Sequence, residues 1–176
     1  MPFVVQVDES QADESLRNTY AKLRASFGFV PSFFQVLGVR PELAESHWQL
    51  LEIIMRDGEL SRITKEMLLL VVSGINSSSY CIAAHLDVLS RLEIDPKVSR
   101  KLSTNFRAAQ VDEKHKALFE FAEKLTRDPS SIGKADADCL FEKGWNERAL
   151  LEAAVTVGWA NLINRVAFGL GVVADP

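Results

Sequence analysis

Apolar side chains recur at spacings of three and four residues along most of the chain, with glycines and prolines between the runs. This period places the apolar positions on one face of a helix and predicts helices rather than strands. The segment Phe3–Val7 is the only candidate for a β-strand. The predicted helices cover about residues 12–27, 41–57, 61–76, 80–92, 96–106, 112–127, 134–143 and 146–170, with a short apolar turn or helix at 32–38.

The pattern predicts an all-α fold, a helical bundle of about seven or eight helices. The sequence has no internal repeat and no low-complexity linker, so residues 1–176 are predicted to form a single domain. Residues 1–30 would supply an N-terminal extension and the first helix, and residues 31–176 would supply the core. We expect the extension to pack on the core or on a neighbouring molecule.

Residues 61–76 are apolar nearly all round, which is typical of a helix in the middle of a bundle or at a subunit contact. The polar turn Asn76–Ser79 ends this segment, and the next helical pattern begins near Tyr80. A short turn between two helical patterns indicates that the helices run in opposite directions. We therefore expect a central antiparallel helix hairpin.

Composition and charge narrow the class of function. The 176 residues are 47% hydrophobic, which allows a sizeable core and argues against disorder. The formal net charge of −4 argues against a nucleic-acid partner. The N-terminus lacks the basic and apolar parts of a signal peptide, and no apolar run is long enough to span a membrane. We expect a cytoplasmic protein with reduced thiols and without a metal or other cofactor.

Two cysteines are too few for a disulfide framework or a four-thiolate zinc site, but they leave room for one reactive thiol. Cys81 lies in the first turn of a predicted helix capped by Ser78 or Ser79. Free N–H groups and the helix dipole favour a thiolate there. His85 follows four residues later on the same face, where an imidazole can take the thiol proton.

Glu66 is an acidic residue in an otherwise apolar helix. In an antiparallel hairpin it would lie about 5–6 Å from His85 along the helix axis. Its carboxylate could then reach the imidazole directly or through one water, which suggests a proton relay of Glu66, His85 and Cys81. A buried structural cysteine beside an ion-paired glutamate is the alternative interpretation.

The remaining cysteine and histidines receive simpler interpretations. His47 lies beside Trp48 on an apolar stripe, as a core or rim histidine would. His115 lies in a charged first turn and is predicted to be solvent-exposed. Cys139 has no activating neighbours in the sequence and is interpreted as structural.

The frame around Cys81 resembles the carboxymuconolactone decarboxylase and alkyl hydroperoxidase AhpD family. That family carries a glutamate, eleven intervening residues, Cys-x-x-Cys, and a histidine four residues after the second cysteine. Glu66, Cys81 and His85 match three of these positions. Further segments resemble the peroxidase-related branch of the family: Asn76–Cys81, Gly28–Phe34, Arg40–Leu43, Phe121–Thr126, Asn164–Arg165 and Gly169–Gly171. The resemblance implies an AhpD-like fold.

One position departs from the family motif, because Ser78 stands where the first cysteine is expected. In the family the second cysteine attacks the peroxide and the first resolves the product as a disulfide. A serine cannot form a disulfide, so the resemblance implies at most a one-cysteine cycle through Cys81. Ser78 could still cap the helix and donate a hydrogen bond to the thiolate.

The resemblance leaves three functions open. The leading one is thiol-dependent reduction of a small hydroperoxide, with an external thiol or protein reductant as the second partner. A lyase acting on a carboxylated lactone would use His85, Glu66, and also His47 and Arg165, without a thiol pair. A non-catalytic member would use the scaffold for binding or assembly. Members of this family form oligomers, so the resemblance implies a homo-oligomer, and we expect a dimer, trimer or hexamer.

Overall fold

The computed structural model describes residues 2–175 and contains nine α-helices in that range. Each predicted segment corresponds to one helix, and the ninth is the short apolar segment after Pro31, which is helical rather than a turn. Residues 3–7 were the strand candidate, and they form no strand. The helices are α1 Glu14–Phe27, α2 Ser32–Leu37, α3 Pro41–Ile54, α4 Arg62–Ile75, α5 Ser79–Arg91, α6 Pro96–Asn105, α7 Glu113–Arg127, α8 Lys134–Glu142 and α9 Glu147–Gly169.

Side chains that cap helix N-termini explain why these helices begin where the sequence predicts. Ser61 accepts a hydrogen bond from the backbone N–H of Thr64, and Asp95 accepts one from Lys97. Asn146 accepts one from Ala149 at the start of α9. Each cap satisfies a backbone donor that has no partner inside its own helix.

Residues 2–55 and 166–175 form the first of two compact units. In this unit α1 and α2 pack against α3, and edge-to-face ring contacts join Trp48 to Phe27 and Phe34. The extended N-terminal segment is tied down by hydrogen bonds, one of them from the Tyr20 hydroxyl to the Val7 carbonyl. The N-terminal segment therefore makes contacts with its own chain, within this unit.

Residues 56–165 form the second unit, and α4 lies at its centre. The helix packs against α5, α6 and α7, and residues 64–73 are all buried. Residues 64–73 are thus covered inside the chain, as expected for a helix in the middle of a bundle. Gly74 lets α6 approach closely, because a Cβ there would overlap the carbonyl group of Ser103.

The helices α4 and α5 form the predicted antiparallel hairpin. The turn between them contains Ser77, which adopts a positive φ of 55°. The backbone N–H of Ser78 then bonds to the carbonyl of Ser73, which closes the turn. Residues late in α5 consequently come alongside residues early in α4, and this arrangement positions the candidate site.

Candidate active site

Glu66 and His85 meet across the hairpin. The Nδ1 atom of His85 lies 2.9 Å from Oε2 of Glu66. The sequence left open a direct contact or a bridging water, and the structure shows a direct hydrogen bond. Because a carboxylate only accepts, Nδ1 carries the hydrogen, and in the neutral imidazole Nε2 is the free base.

The carboxylate of Glu66 is buried, with 4% of the residue exposed. Its second oxygen, Oε1, lies 3.9 Å from Nε of Arg62, one helical turn earlier on α4. An acidic group in such a position needs partners, because burial of an unpaired charge is unfavourable. His85 and Arg62 supply those partners on the two sides of the carboxylate.

Cys81 is the third residue of α5 and is 2% exposed. Its thiol forms hydrogen bonds with the side chains of Ser78 and Asn164. It is not linked to another cysteine. His85 lies one turn later on the same helix, so the base of the Glu66–His85 pair and the thiol share one face.

The acidity of Cys81 differs from the expectation that the helix N-terminus and His85 would favour its thiolate. Burial raises the pKa of the Cys81 thiol, and the hydrogen bonds from Ser78 and Asn164 lower it without cancelling this effect. The physical reason is desolvation, which disfavours the charged form of a group surrounded by apolar atoms. The resting residue is therefore a thiol at neutral pH, and a base is needed to activate it.

Ser78 occupies the N-cap position of α5, as predicted, but its side chain makes no hydrogen bond to the helix backbone. The expected capping role of the hydroxyl is thus wrong. The hydroxyl instead bonds to the thiol of Cys81. The side chain at the position of the family's missing cysteine is consequently in contact with the sulfur.

Asn164 is a residue of the site that sequence reasoning did not select. It lies on α9 and is 2% exposed. Its Nδ2 donates to Ser73 Oγ at 3.2 Å, and its Oδ1 accepts from Asn76 Nδ2 at 2.8 Å. The sequence feature that could have identified Asn164 is an amide residue in the interior of an apolar helix. Such residues are disfavoured there unless they have hydrogen-bond partners.

The other candidate residues lie outside this cluster of contacts. His47 is a rim histidine, with Nδ1 2.8 Å from the Leu43 carbonyl oxygen. His115 is half-buried rather than solvent-exposed, because Nε2 bonds to Thr64 Oγ1 at 3.2 Å and Nδ1 bonds to Asp112. Cys139 is exposed on α8, so it does not serve as a core residue. Arg165 is exposed and donates to the Asn161 side chain.

Within residues 2–175, no three His, Cys, Asp or Glu side chains are placed to share a metal ion. No helix in that range is both long and apolar enough to cross a bilayer. The candidate site contains an imidazole–carboxylate pair and, one helical turn away, a hydrogen-bonded thiol. Such a set can move a proton and present a sulfur nucleophile.

The fold is that of AhpD-like, peroxidase-related proteins. It is similar to an uncharacterized peroxidase-related protein of Ralstonia eutropha JMP134 with an alkylhydroperoxidase AhpD core, at a TM-score of 0.93 and 24% identity, covering 99% of this chain and 92% of that chain. It is also similar to a peroxidase-related protein of Silicibacter sp. TM1040, at a TM-score of 0.89 and 28% identity, with coverage of 99% and 92%.

A third similar structure is the debrominase Bmp8, in a cysteine-to-alanine variant bound to 2,3,4-tribromopyrrole. Its TM-score is 0.84 at 19% identity, with 98% of this chain and 91% of that chain covered. No curated protein matches this chain in sequence. Residues 41–97, which include Glu66, Cys81 and His85, match the family model of the Carboxymuconolactone decarboxylase family. The family resemblance that the sequence indicates is therefore confirmed.

Proposed function

We propose that this protein reduces small hydroperoxides through Cys81 in a one-cysteine cycle, with Glu66 and His85 as the proton relay. The observation that carries the proposal is the direct Glu66–His85 hydrogen bond one helical turn from a buried, hydrogen-bonded thiol. The carboxylate orients the imidazole through Nδ1, so that Nε2 can act as a base toward the thiol.

The first half of the cycle oxidises Cys81. His85 Nε2 takes the thiol proton, and the thiolate attacks one oxygen of the hydroperoxide. The S–O bond forms as the O–O bond breaks, and the departing alkoxide takes the proton back from His85 and leaves as an alcohol. Cys81 is left as a sulfenic acid. Its sulfur has lost two electrons in this step, and the hydroperoxide has gained them.

The second half of the cycle needs an external thiol, because Ser78 cannot resolve the sulfenic acid. One thiol attacks the Cys81 sulfur and displaces water, which gives a mixed disulfide. A second thiol attacks that disulfide, releases Cys81 as a thiol and leaves as the oxidised disulfide. A cytoplasmic location, where thiols are kept reduced, is part of this proposal.

The names of similar proteins support the redox assignment. Two are peroxidase-related proteins, and an Agrobacterium tumefaciens protein of TM-score 0.72 and 18% identity is named a putative antioxidant defence protein AhpD. The test is hydroperoxide consumption in the presence of excess dithiothreitol. We expect turnover by the wild type and by Cys139→Ser, and none by Cys81→Ser. Equal rates for Cys81→Ser and the wild type would overturn the proposal.

A lyase acting on a carboxylated lactone is the second candidate, and the match of residues 41–97 to the Carboxymuconolactone decarboxylase family favours it. This reaction would use Glu66 and His85 for acid–base steps and would not need the sulfur. The Cys81→Ala variant separates the two candidates. Lactone turnover that survives this substitution would favour the lyase, whereas the peroxidase requires the thiol.

A non-catalytic member of the family is the third candidate, and the raised pKa of Cys81 favours it. An inert buried thiol reacts with peroxide more slowly than an exposed one, because burial limits both access and ionisation. Exposed Cys139 provides the internal reference for this comparison. A sample in which Cys139 is oxidised before Cys81 would support the non-catalytic candidate.

Self-association is also part of the proposal, and α9 offers the surface for a second copy of the chain. Leu151, Val155 and Leu162 are 65%, 44% and 45% exposed and recur at helical spacing. A Cβ at Gly158, which lies between them, would meet no atom within 4 Å, so this centre of the stripe is open to another helix.

We expect the wild type to elute as a multiple of 19.6 kDa in size-exclusion chromatography with light scattering. The Leu151→Glu variant would place a charge on the apolar stripe and shift the distribution toward the monomer. Lys101→Glu, an exposed change on α6, is the control and would leave the mass unchanged. A monomeric wild type would contradict self-association.

A further inference from the structure

Asn164 contacts the sulfur on which the proposed reaction takes place, and its other polar atoms are all held in place. We propose that Asn164 is a catalytic residue, a fixed hydrogen-bond donor that stabilises the Cys81 thiolate when His85 removes the proton. This inference rests on the proposed function for its place in a reaction. Its physical content, donation to the sulfur, can be tested without any hydroperoxide.

The position of Asn164 is unfavourable for an asparagine unless its side chain has hydrogen-bond partners. Asparagine is a poor residue for a helix interior, and α9 is a helix of 23 residues. Its amide is 2% exposed, and an amide buried without partners would destabilise the fold. The side chain instead uses both ends of the amide in hydrogen bonds inside the chain.

Two neighbours fix which way the amide points. Asn76 Nδ2 donates to Asn164 Oδ1 at 2.8 Å, so a flipped amide would set two donors against each other. Ser73 Oγ donates to the Leu69 carbonyl at 2.7 Å, which leaves its lone pairs to accept from Asn164 Nδ2. The amide nitrogen is thereby held on the side of Ser73, and its second hydrogen is free to bond to Cys81.

The amide also differs from the other partner of the sulfur. The hydroxyl of Ser78 can rotate, so it can either donate to a sulfur or accept from one. The NH₂ group of Asn164 only donates. A group that only donates stabilises the thiolate more than the thiol. A hydroxyl can bond to either form, because it donates to the thiolate and accepts from the thiol. Asn164 thus favours the reactive form of Cys81 against the effect of burial.

No charged side chain is among the influences on the resting thiol, and the positive charge on His85 arises only when it takes the proton. Burial and the two hydrogen bonds are the influences on the thiol, with no ion pair among them. The two buried charged groups of α4 are paired with other residues, because Glu66 is bonded to His85 and Lys65 is paired with Glu152 at 3.1 Å. The remaining charged groups on helices α4, α5, α6 and α9 of this unit are Arg62, Asp87, Arg91, Lys97, Arg100, Lys101, Glu147, Arg148 and Arg165.

The test is the rate at which iodoacetamide alkylates Cys81, followed by intact mass as a function of pH in a Cys139→Ser background. The midpoint of the rate against pH reports the stability of the thiolate, and the plateau rate at high pH reports how easily iodoacetamide reaches the sulfur. Asn164→Leu keeps similar bulk and removes the donor. We expect its profile to move to higher pH and its rate at neutral pH to fall about tenfold, as for loss of one hydrogen bond to a charged group.

Two further variants keep the result interpretable. Asn164→Asp retains an acceptor for Asn76 but replaces the amide donor with a carboxylate, which also places a negative charge beside the sulfur, so we expect it to slow alkylation more than Asn164→Leu does. Thr156→Val is the matched control, because Thr156 is also a buried polar residue on α9 but its hydroxyl bonds to the Glu152 carbonyl. We expect the control to keep the wild-type profile.

The outcomes separate this inference from the proposed function. Folded Asn164→Leu and Asn164→Asp proteins with the wild-type pH profile would overturn the role of Asn164. A shifted profile in those variants, together with a wild type that does not consume hydroperoxide, would leave the donor role standing and reject the peroxidase. Circular dichroism and the thermal midpoint establish that the variants are folded.

Discussion

Replacing Ser78 with cysteine is expected to convert the product of peroxide treatment from a sulfenic acid into an intramolecular disulfide. The side chain of residue 78 already contacts the thiol of Cys81. The two residues are three positions apart at a helix start, a separation that falls within the range disulfide geometry allows. In the Ser78→Cys variant, intact mass would show the loss of two hydrogen atoms rather than the gain of one oxygen atom.

The Ser78→Cys experiment needs a background without Cys139, so that only one disulfide can form. Ser78→Ala in the same background is the control, and we expect it to accumulate the oxygen adduct as the wild type does. A stable oxygen adduct in Ser78→Cys would mean that the two sulfur atoms cannot meet. That result would contradict the geometry assigned to the start of α5.

Removing the base is expected to have the second large effect. Both Glu66→Gln and His85→Gln should slow the reaction of Cys81 with hydrogen peroxide by about a hundredfold or more, the usual contribution of general-base catalysis. The reason is that Cys81 is a thiol at neutral pH, because burial raises its pKa. Without the relay, only the small thiolate fraction reacts. The measurement is the single-turnover rate of Cys81 oxidation.

The relay further predicts that the double variant is scarcely slower than either single variant, because residues that act as one unit are not additive. His47→Gln is the control, since His47 is a rim histidine bonded to the Leu43 carbonyl, and we expect it to react like the wild type. Independent, multiplying effects of Glu66 and His85 would contradict a shared proton path.

The helices and one half of the site could be predicted from the sequence because both depend on local spacing. Glycines, prolines and capping residues mark the helix ends, and the short polar turn at Asn76–Ser79 indicates an antiparallel hairpin. The rise per residue then brings Glu66 to His85, and the structure shows the two in direct contact. Neither step needs knowledge of distant parts of the chain.

The environment of Cys81 could not be predicted in the same way. The helix N-terminus and His85 suggest an acidic thiol, but the pKa depends on how deeply the folded chain buries the sulfur, which local spacing does not show. Asn164 is 83 positions from Cys81 (164 minus 81), and no local pattern links them. The half-buried state of His115 has the same origin, because Thr64 reaches it from another helix.

The measurement that tests the account most directly is the site and rate of oxidation when the wild-type protein meets one equivalent of hydrogen peroxide. Intact mass and peptide mapping, with dimedone present to trap sulfenic acid, report the modified residue. We predict one trapped sulfenic acid at Cys81, its absence in Cys81→Ser, and an unchanged result in Cys139→Ser. Oxidation of Cys81 no faster than that of exposed Cys139 would contradict the proposed function.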